Sequence, residues 1–295
     1  MKKEIAQRRE RLRNLMREKD FDGVVLAMAQ NLQYLTGIME PSLQACGVLV
    51  MAGQASPVLA VLWLDAEAAQ SQVEGVNIKT YTAATHGQVI AEAVKGLGLS
   101  RGRIGLDDQA LRRLGKALGK SLPDVEFVNA SHILEGDLRG VKSKEEIDCI
   151  EHACQIVEQG METAAELLKP GITELELAAE AESRMIKLGS ERPRHITIVA
   201  SGSRARLVHP FASQKKIEPG DIVAIDMGAT YHGYCSDLAR TFAVGEPDAE
   251  LKRGFDVFLK AQEATLEKLR PGVSIKELQA VPIKVVEAAG YKLVG

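Results

Sequence analysis

Apolar and polar residues follow two different patterns in the two halves of the chain. Up to residue 135, short apolar runs alternate with amphipathic helical stretches, which is typical of an α/β domain. Beyond residue 144, apolar positions recur at helical spacing over longer stretches that end at proline or glycine. The predicted strands of the first half are Val24–Ala27, Cys46–Met51, Pro57–Leu64, Val76–Tyr81, Arg103–Leu106 and Val125–Val128, and its longer helices are Ile5–Lys19, Gly87–Leu97 and Ala110–Leu118.

A polar stretch, Ser131–Lys144, separates the two halves and is predicted to be a linker. It contains two glycines and leads into Ser143, a predicted N-cap that is followed by acidic residues. We therefore expect two domains, residues 1–135 and residues 136–295. In the second domain, helices are predicted at Lys144–Leu168 and Glu174–Leu188, followed by a strand at His195–Ala200.

The candidate chemistry lies in a stretch with the signature of a β-hairpin. Two apolar runs, Ile222–Met227 and Leu238–Val244, flank a polar centre that contains Gly233. A turn centred between residues 231 and 232 would place Asp226 directly opposite Asp237, on one face of the hairpin. Two ionised carboxylates that close repel one another, so either one is protonated or a cation lies between them. Such oxygen donors suit a divalent metal, and the alternative is a pair of solvated aspartates.

A pattern in the second half repeats after 101 residues. The stretch Glu166–Thr173 ends one predicted helix and starts the next, and Glu267–Ser274 does the same. Behind them, Glu-Leu pairs, alanines and the glycines Gly189 and Gly290 keep the same offset. The shared order of helix, Pro-Gly, helix and glycine indicates an internal duplication. Chance similarity between two helical hairpins is the alternative.

Composition and charge narrow the function classes. The net charge of −3 provides no electrostatic footprint for nucleic acid or an anionic membrane. The N-terminal stretch lacks the apolar region of a signal peptide, and no apolar run reaches the roughly 20 residues of a membrane span. The four cysteines show no disulfide or metal-ligand spacing, which favours reduced thiols. We expect a cytoplasmic protein that binds neither nucleic acid nor membrane.

Four motifs in the chain resemble those of one protein family. Residues 226–242, DMGATYHGYCSDLARTF, resemble the first metal-binding motif of the "pita-bread" metallopeptidases, which include methionine aminopeptidase, aminopeptidase P, prolidase and creatinase. Residues 139–147 resemble the segment that opens the catalytic domain. Residues 198–202, followed by His209-Pro210, resemble the strand and loop that bring in a substrate-contacting histidine. Residues 31–37 resemble a short motif at the corresponding place in the creatinase-type N-terminal domain.

The resemblance implies a fold, an activity and a site. The expected fold is an α/β N-terminal creatinase-like domain plus an α+β pita-bread domain whose second half is incomplete. The implied activity is that of a metal-dependent Xaa-Pro peptidase of the aminopeptidase P or prolidase type, acting on proline-containing peptides as a homodimer. In that scheme Asp226 binds one of two divalent metal ions and Asp237 bridges both, with manganese favoured over cobalt or zinc. A metal-bridging hydroxide attacks the peptide carbonyl, and His209 contacts the substrate.

Three expectations complete the sequence-based interpretation. His195 and His232 are interpreted as structural or exposed residues. The family pattern includes a further histidine and two glutamates, so we expect the functional protein to extend roughly 55 residues beyond Gly295, by comparison with the first repeat. A metal-free creatinase-like hydrolase and a non-catalytic peptide-binding module remain as alternatives, although retention of Asp226 and Asp237 argues against the first. The sequence does not distinguish dipeptides from longer peptide substrates.

Overall fold

The computed structural model describes residues 2–39 and 47–292, which divide into two compact units. Unit 1 comprises residues up to Ala153 together with Thr230–Cys235, and unit 2 comprises Cys154–Ala229 and the residues from Ser236 onward. The division into domains 1–135 and 136–295 stays a prediction. In the described part of the chain, no helix combines the length and the hydropathy needed to cross a membrane.

Unit 1 is built around a mixed β-sheet. Its helices are α1 (Lys2–Glu18), α2 (Ala29–Thr36), α3 (Ala66–Gln72), α4 (His86–Gly96) and α5 (Asp108–Ser121), with a 3₁₀ turn at Trp63–Asp65. Its strands are β1 (Gly23–Leu26), β2 (Val48–Ala52), β3 (Val58–Leu62), β4 (Asn77–Tyr81), β5 (Gly102–Leu106) and β6 (Val125–Asn129). The predicted strand Cys46–Met51 corresponds to β2, and its first residue, Cys46, lies outside the described residues.

The strand order β4-β3-β2-β1-β5-β6 places β1 inside the sheet. β1 pairs antiparallel with β2 and parallel with β5, so both of its edges are hydrogen-bonded, and all four of its residues are buried. Because successive strand residues point to opposite faces, Val24 and Leu26 join one apolar core while Val25 and Ala27 join the other. This arrangement explains why the β1 sequence is a continuous apolar run rather than an alternating one.

The segment predicted as a polar linker is part of the unit 1 core. A short π-helix spans Ile133–Leu138, and the side chains of Ile133, Leu134 and Leu138 are buried. The prediction of a linker over Ser131–Lys144 is therefore wrong for its first half. Glycine and charged residues separate the three apolar residues in the sequence, so the segment looks polar, but the helical turn brings the apolar side chains to one side. Residues 140–142 are exposed and lie outside any helix, as expected of a linker.

Buried polar contacts connect the tip residues Thr230–Cys235 to the rest of unit 1. The Tyr234 hydroxyl donates to Glu146 Oε1 at 3.0 Å and accepts from Arg8 Nη2 at 2.9 Å. Arg8 also donates to Glu4 Oε1 at 2.9 Å, and its guanidinium lies over the ring of Tyr34. Burial, together with the neighbouring Glu146 carboxylate, raises the pKa of Tyr234, so the phenol stays neutral and available as a donor.

Unit 2 combines a three-stranded antiparallel sheet with long helices. The helix α6 (Lys144–Leu167) begins in unit 1, and α7 (Glu174–Lys187) follows it. The strands β7 (Ile198–Ser201), β8 (Ile222–Met227) and β11 (Leu238–Ala243) form the sheet in the order β11-β8-β7. The helices α8 (Ala249–Lys268) and α9 (Ile275–Ala288) complete the unit. The short paired strands β9 (Thr230–Tyr231) and β10 (Tyr234–Cys235), which come between β8 and β11 in the chain, belong to unit 1.

Alternation along β8 decides which of its side chains remain accessible. Val223, Ile225 and Met227 are buried, whereas the residues between them, including Asp226, are partly exposed. The buried face packs closely, since a Cβ at Gly160 of α6 would lie 3.3 Å from Met227 Sδ. Asp226 therefore points away from the core, onto the face of the sheet where a ligand can reach it.

The two halves of the predicted repeat have the same helix-start chemistry. Thr173 and Glu176 form a reciprocal capping box at the start of α7, and Ser274 and Glu277 form the same capping box at the start of α9. The glycines that precede and follow each second helix have positive φ in both copies, at Gly171, Gly189, Gly272 and Gly290. The structural features recur at the offset of 101 residues that the sequence pattern shows.

Candidate metal centre

Strand register positions the two aspartates that were predicted to bind metal. β8 and β11 pair with Asp226 opposite Ala239, and not opposite Asp237. The predicted turn centre is wrong by one residue, because the two-residue loop is His232-Gly233, where φ is 47° and 75°. Positive φ at both positions matches the twist of a hairpin, and glycine adopts it without strain. His232 is exposed in this turn, as expected.

The register shift of two positions leaves both carboxylates on one face of the hairpin. Side chains alternate with a period of two, so an even shift moves Asp237 along the strand without turning it over. Asp237 becomes a diagonal neighbour of Asp226, which is still within reach of two side chains. One oxygen of each carboxylate and one nitrogen of His195 all lie within 4.8 Å of one another. The convergence required of metal ligands is present, and the metal-binding role itself stays a prediction.

His195 lies beside the two aspartates and is a candidate third donor, which its interpretation as a structural or exposed residue did not anticipate. His195 Nε2 lies 3.4 Å from Asp226 Oδ1 and 3.7 Å from Asp237 Oδ1. His195 Nδ1 lies 3.0 Å from the carbonyl oxygen of Ile196. A metal at this site would require the tautomer in which Nδ1–H donates to this carbonyl and the lone pair of Nε2 faces the carboxylates. The available signal was a histidine just ahead of β7, whose Ile198 pairs with Asp226.

Arg194 binds the carboxylate oxygen of Asp237 that faces away from His195. Its Nη1 lies 2.8 Å from Asp237 Oδ2, which leaves Oδ1 to face His195. The Arg194 backbone N–H donates to the carbonyl of Gly228 at 2.9 Å. No side chain fits at Gly228, because a Cβ there would overlap the carbonyl oxygen of Ser236 and lie 2.9 Å from Arg194 Cβ. The close approach of these backbones is therefore what places Arg194 beside Asp237.

The donor set fits a divalent cation. Asp226 Oδ1 is buried and has no hydrogen-bond partner among the described residues. A buried carboxylate oxygen without a partner is costly, and its neighbours here are the second carboxylate and His195 Nε2, which lies 3.4 Å away. One nitrogen and two carboxylate oxygens are donors that manganese, zinc and cobalt accept in proteins. A bound cation would satisfy all three at once.

The predicted substrate-contacting residue borders the same site. A cavity of about 440 Å³ lies beside the three donors. Ile196 and Phe211 leave 61% and 68% of their surfaces exposed, which gives the cavity an apolar rim. The structure thus brings Asp226, Asp237 and His209 to one cavity. Its complete lining is Arg194, His195, Ile196, Ile198, His209, Pro210, Phe211, Asp226 and Asp237.

Comparisons with known proteins identify the family. The model of metallopeptidase family M24 matches residues 148–295, and that of the creatinase/prolidase N-terminal domain matches residues 8–140. An Xaa-Pro dipeptidase of Pyrococcus horikoshii is 32% identical over 94% of this chain and 75% of that protein. Among solved structures, an Xaa-Pro dipeptidase from Bacillus anthracis has a TM-score of 0.85 and 31% identity, covering 97% of this chain and 78% of its own. An X-Pro aminopeptidase from Thermotoga maritima has a TM-score of 0.85 and 28% identity, covering 96% and 78%.

This chain belongs to metallopeptidase family M24. The fold class expected from the sequence, a creatinase-like α/β N-terminal domain with an α+β pita-bread domain, is confirmed by these matches. The same relatives confirm that the chain is a peptidase. Membership of this family also implies that divalent metal ions take part in its chemistry.

Proposed function

We propose that this protein is a divalent-metal-dependent Xaa-Pro peptidase that hydrolyses the peptide bond before proline. The observation that carries the proposal is the convergence of Asp226, Asp237 and His195 beside the cavity that His209 lines. Relatives at about 30% identity are Xaa-Pro dipeptidases and an X-Pro aminopeptidase, which supports the substrate class.

Asp226, Asp237 and His195 are the residues that would hold metal. The resemblance described above favours two ions, with manganese as the first candidate and cobalt or zinc as alternatives. When bound, such ions polarise a peptide carbonyl and lower the pKa of water. The part of Arg194 is to hold Asp237 Oδ2, so that the opposite oxygen stays turned toward the donor cluster.

His209 is proposed to contact the substrate carbonyl and to stabilise the negative charge that develops on its oxygen during hydrolysis. Its exposure allows this contact without any rearrangement of the core. The apolar rim of Ile196, Pro210 and Phe211 offers a surface that suits a proline ring. With these assignments, the charged residues and His209 bind metal or substrate, and the apolar rim contacts the proline ring.

The organisation of the protein is also part of the proposal. We propose that residues 1–135 and 136–295 form the N-terminal and peptidase domains, and that the protein is a cytoplasmic homodimer. The matched family models, at residues 8–140 and 148–295, support a boundary in this region of the chain. Light scattering coupled to size-exclusion chromatography measures the oligomeric state directly.

The test is hydrolysis by metal-free protein to which Mn²⁺, Co²⁺ or Zn²⁺ is added back. Dipeptides Ala-Pro and Met-Pro, the tripeptide Ala-Pro-Gly, and Ala-Ala as a control distinguish the substrates. We expect metal-dependent cleavage before proline, loss of turnover in Asp226→Asn, and a strongly reduced kcat in His209→Ala. The variant Asp256→Asn, an exposed acid on α8, is the matched control and should retain activity.

Three other outcomes would each replace the proposal. Metal-independent turnover of creatine would identify a creatinase-like hydrolase. Binding of proline-containing peptides without cleavage, at full metal loading, would indicate a non-catalytic module. Equal cleavage of Ala-Ala and Ala-Pro would keep the peptidase assignment but remove the specificity for proline.

A further inference from the structure

A single buried carboxylate, that of Glu174, contacts both ends of the loop that carries His209. This loop, residues 202–212, leaves β7 after Ser201 and rejoins the core at Ser213. Leu207, Val208 and Phe211 within it expose roughly half or more of their surfaces, so apolar packing does little to hold it. Polar contacts at its ends and along its length therefore help to hold it in place.

Both ends of the loop bind the side chain of Glu174, the first residue of α7. Glu174 is fully buried, with 0% of its surface exposed. Its Oε1 accepts from the backbone N–H and the hydroxyl of Ser201, at 2.8 and 2.9 Å. Its Oε2 accepts from the backbone N–H and the hydroxyl of Ser213, at 3.1 and 2.7 Å. One oxygen thus holds the start of the loop and the other holds its end.

Arg204 links the Glu174 carboxylate to the segment around His209. Its Nε donates to Glu174 Oε2 at 3.1 Å, and its Nη2 donates to the carbonyl of Phe211 at 2.6 Å. Phe211 is two residues from His209, so the guanidinium connects the carboxylate to the part of the loop that lines the metal-site cavity. Backbone bonds from Leu175 N–H to Ser213 and from Glu174 N–H to Lys215 reinforce the returning end.

The charge of Glu174 is what lets one side chain accept five hydrogen bonds. Burial on its own would raise the pKa of this carboxyl, but the bonds from Ser213 and Ser201 and the charge of Arg204 together hold the pKa below its ordinary value. Its location in the first turn of α7 also favours an anion. An ionised carboxylate accepts on both oxygens, whereas an amide of the same shape would offer donors to the groups around one of them.

We propose that Glu174 is a positioning residue that fixes the His209 loop beside the metal centre. It touches neither the metal donors nor the cavity, and it acts through Ser201, Arg204 and Ser213. The significance for catalysis rests on the proposed function, because it requires that His209 contacts the substrate. The anchoring of the loop does not depend on that function and is measured separately.

The first experiment is hydrogen exchange of the whole protein in Glu174→Gln. We expect amides of residues 202–213 to exchange about tenfold faster or more, as for loss of a hydrogen bond to a charged group. Affinity for Mn²⁺ should change little, since Asp226 and Asp237 are held by β8, the adjoining hairpin and Arg194. The matched control is Glu176→Gln, which removes a carboxylate charge from the first turn of the same helix but no contact to the loop. Should Glu174→Gln fail to fold, Ser213→Ala removes the hydroxyl bond to Glu174 and the bond that this hydroxyl accepts from the Lys215 N–H, and is expected to loosen the same segment.

The second experiment couples Glu174 to His209 through kinetics. Displacement of a catalytic group can cost up to about 100-fold in rate, so Glu174→Gln should lower kcat for Ala-Pro more than it raises KM. In the His209→Ala background, the same substitution should cost little further activity, because its effect passes through His209. A general loss of stability would instead reduce activity equally in both backgrounds.

The outcomes separate the anchor from the function. Unchanged exchange of residues 202–213 in both Glu174→Gln and Ser213→Ala overturns the proposal. So does an activity loss that is additive with His209→Ala. Wild-type protein that cleaves no Xaa-Pro peptide while Glu174→Gln still loosens the loop refutes the proposed function and leaves the anchor supported.

Discussion

Among single residues, His195 is the proposed nitrogen donor of the candidate metal centre. Its Nε2 faces both carboxylates while its Nδ1 lies beside the Ile196 carbonyl, an arrangement that is common for metal-bound histidine. We expect His195→Gln to weaken Mn²⁺ binding by at least the roughly 10- to 100-fold that loss of an outer-shell partner costs. Isothermal titration calorimetry, or the electron paramagnetic resonance signal of free Mn²⁺, measures the change.

The control for this substitution is His132→Gln, an exposed histidine in unit 1. It removes an imidazole without touching the donor cluster, and its Mn²⁺ affinity should equal that of the wild type. Equal affinities in the His195 and His132 variants would show that His195 is not a ligand. In that case its closeness to Asp226 would reflect an ordinary ion pair.

The position of the two aspartates on one face was predictable from sequence. Side chains alternate along a strand, so a pairing error of two positions leaves both residues on the same face. The turn centre was wrong by one residue, which shifts the pairing by two, and an even shift leaves Asp226 and Asp237 on the same face. His195 lies outside the strands, where alternation specifies no direction. Its orientation depends on the path of the chain before β7, which no local pattern encodes.

At the scale of elements, the close approach at Gly228 connects the hairpin to Arg194. In Gly228→Ala the new methyl would overlap the Ser236 carbonyl, and backbone atoms cannot move away as a flexible side chain can. We expect a loss of about 1–3 kcal/mol in the free energy of unfolding, together with weaker metal binding. Urea denaturation followed by circular dichroism measures the first quantity.

A second glycine provides the matched control for that substitution. Gly254 lies inside α8, where a Cβ would have no heavy atom within 4 Å. Gly254→Ala should therefore stabilise the protein by about 0.5–1 kcal/mol, because alanine loses less backbone freedom in a helix. Similar losses in both variants would mean that the overlap at Gly228 is relieved by a local shift.

The start of α7 should give stability a pH dependence. Because the pKa of Glu174 is lower in the folded state than its ordinary value of 4.5, its contribution is complete above pH 4.5. That contribution is lost as the pH falls through the folded-state pKa. The difference in unfolding free energy between wild type and Glu174→Gln should be full at pH 7 and should shrink below pH 4.5.

Denaturation at a series of pH values tests this dependence, with Glu180→Gln as the control. Glu180 is an exposed residue of the same helix, so its substitution changes charge without removing a buried acceptor. If the difference in unfolding free energy between wild type and Glu174→Gln is constant from pH 7 to pH 3, the charge of the carboxylate contributes nothing to stability. The hydrogen bonds would then act as they do with a neutral side chain.

Elements were predictable where apolar runs are continuous and were missed where apolar residues are scattered. The buried strand β1 and the hairpin strand β8 stand out because β-branched residues make up half of each. Ile133, Leu134 and Leu138 are separated by glycine and acidic residues, so the segment has the composition of a linker. Only the helical turn brings these three side chains together in the unit 1 core.

At the scale of the whole molecule, all described donors of the metal centre belong to unit 2. A metal that binds the folded site and not the unfolded chain stabilises the fold by mass action. At free Mn²⁺ 100 times the dissociation constant, the gain is about 2.7 kcal/mol. We expect hydrogen exchange to slow in β7, β8 and β11 on addition of Mn²⁺, and the midpoint of thermal unfolding to rise.

The variants Asp226→Asn and Asp256→Asn make this last prediction specific. Asp226→Asn removes a carboxylate that faces the centre, so neither the thermal shift nor the slower exchange should appear with Mn²⁺. Asp256 is exposed on α8, and Asp256→Asn should respond to Mn²⁺ as the wild type does. A thermal shift of equal size in all three proteins would place the stabilising metal away from Asp226. Slower exchange confined to unit 1 would contradict the assignment of the centre to the β8–β11 hairpin.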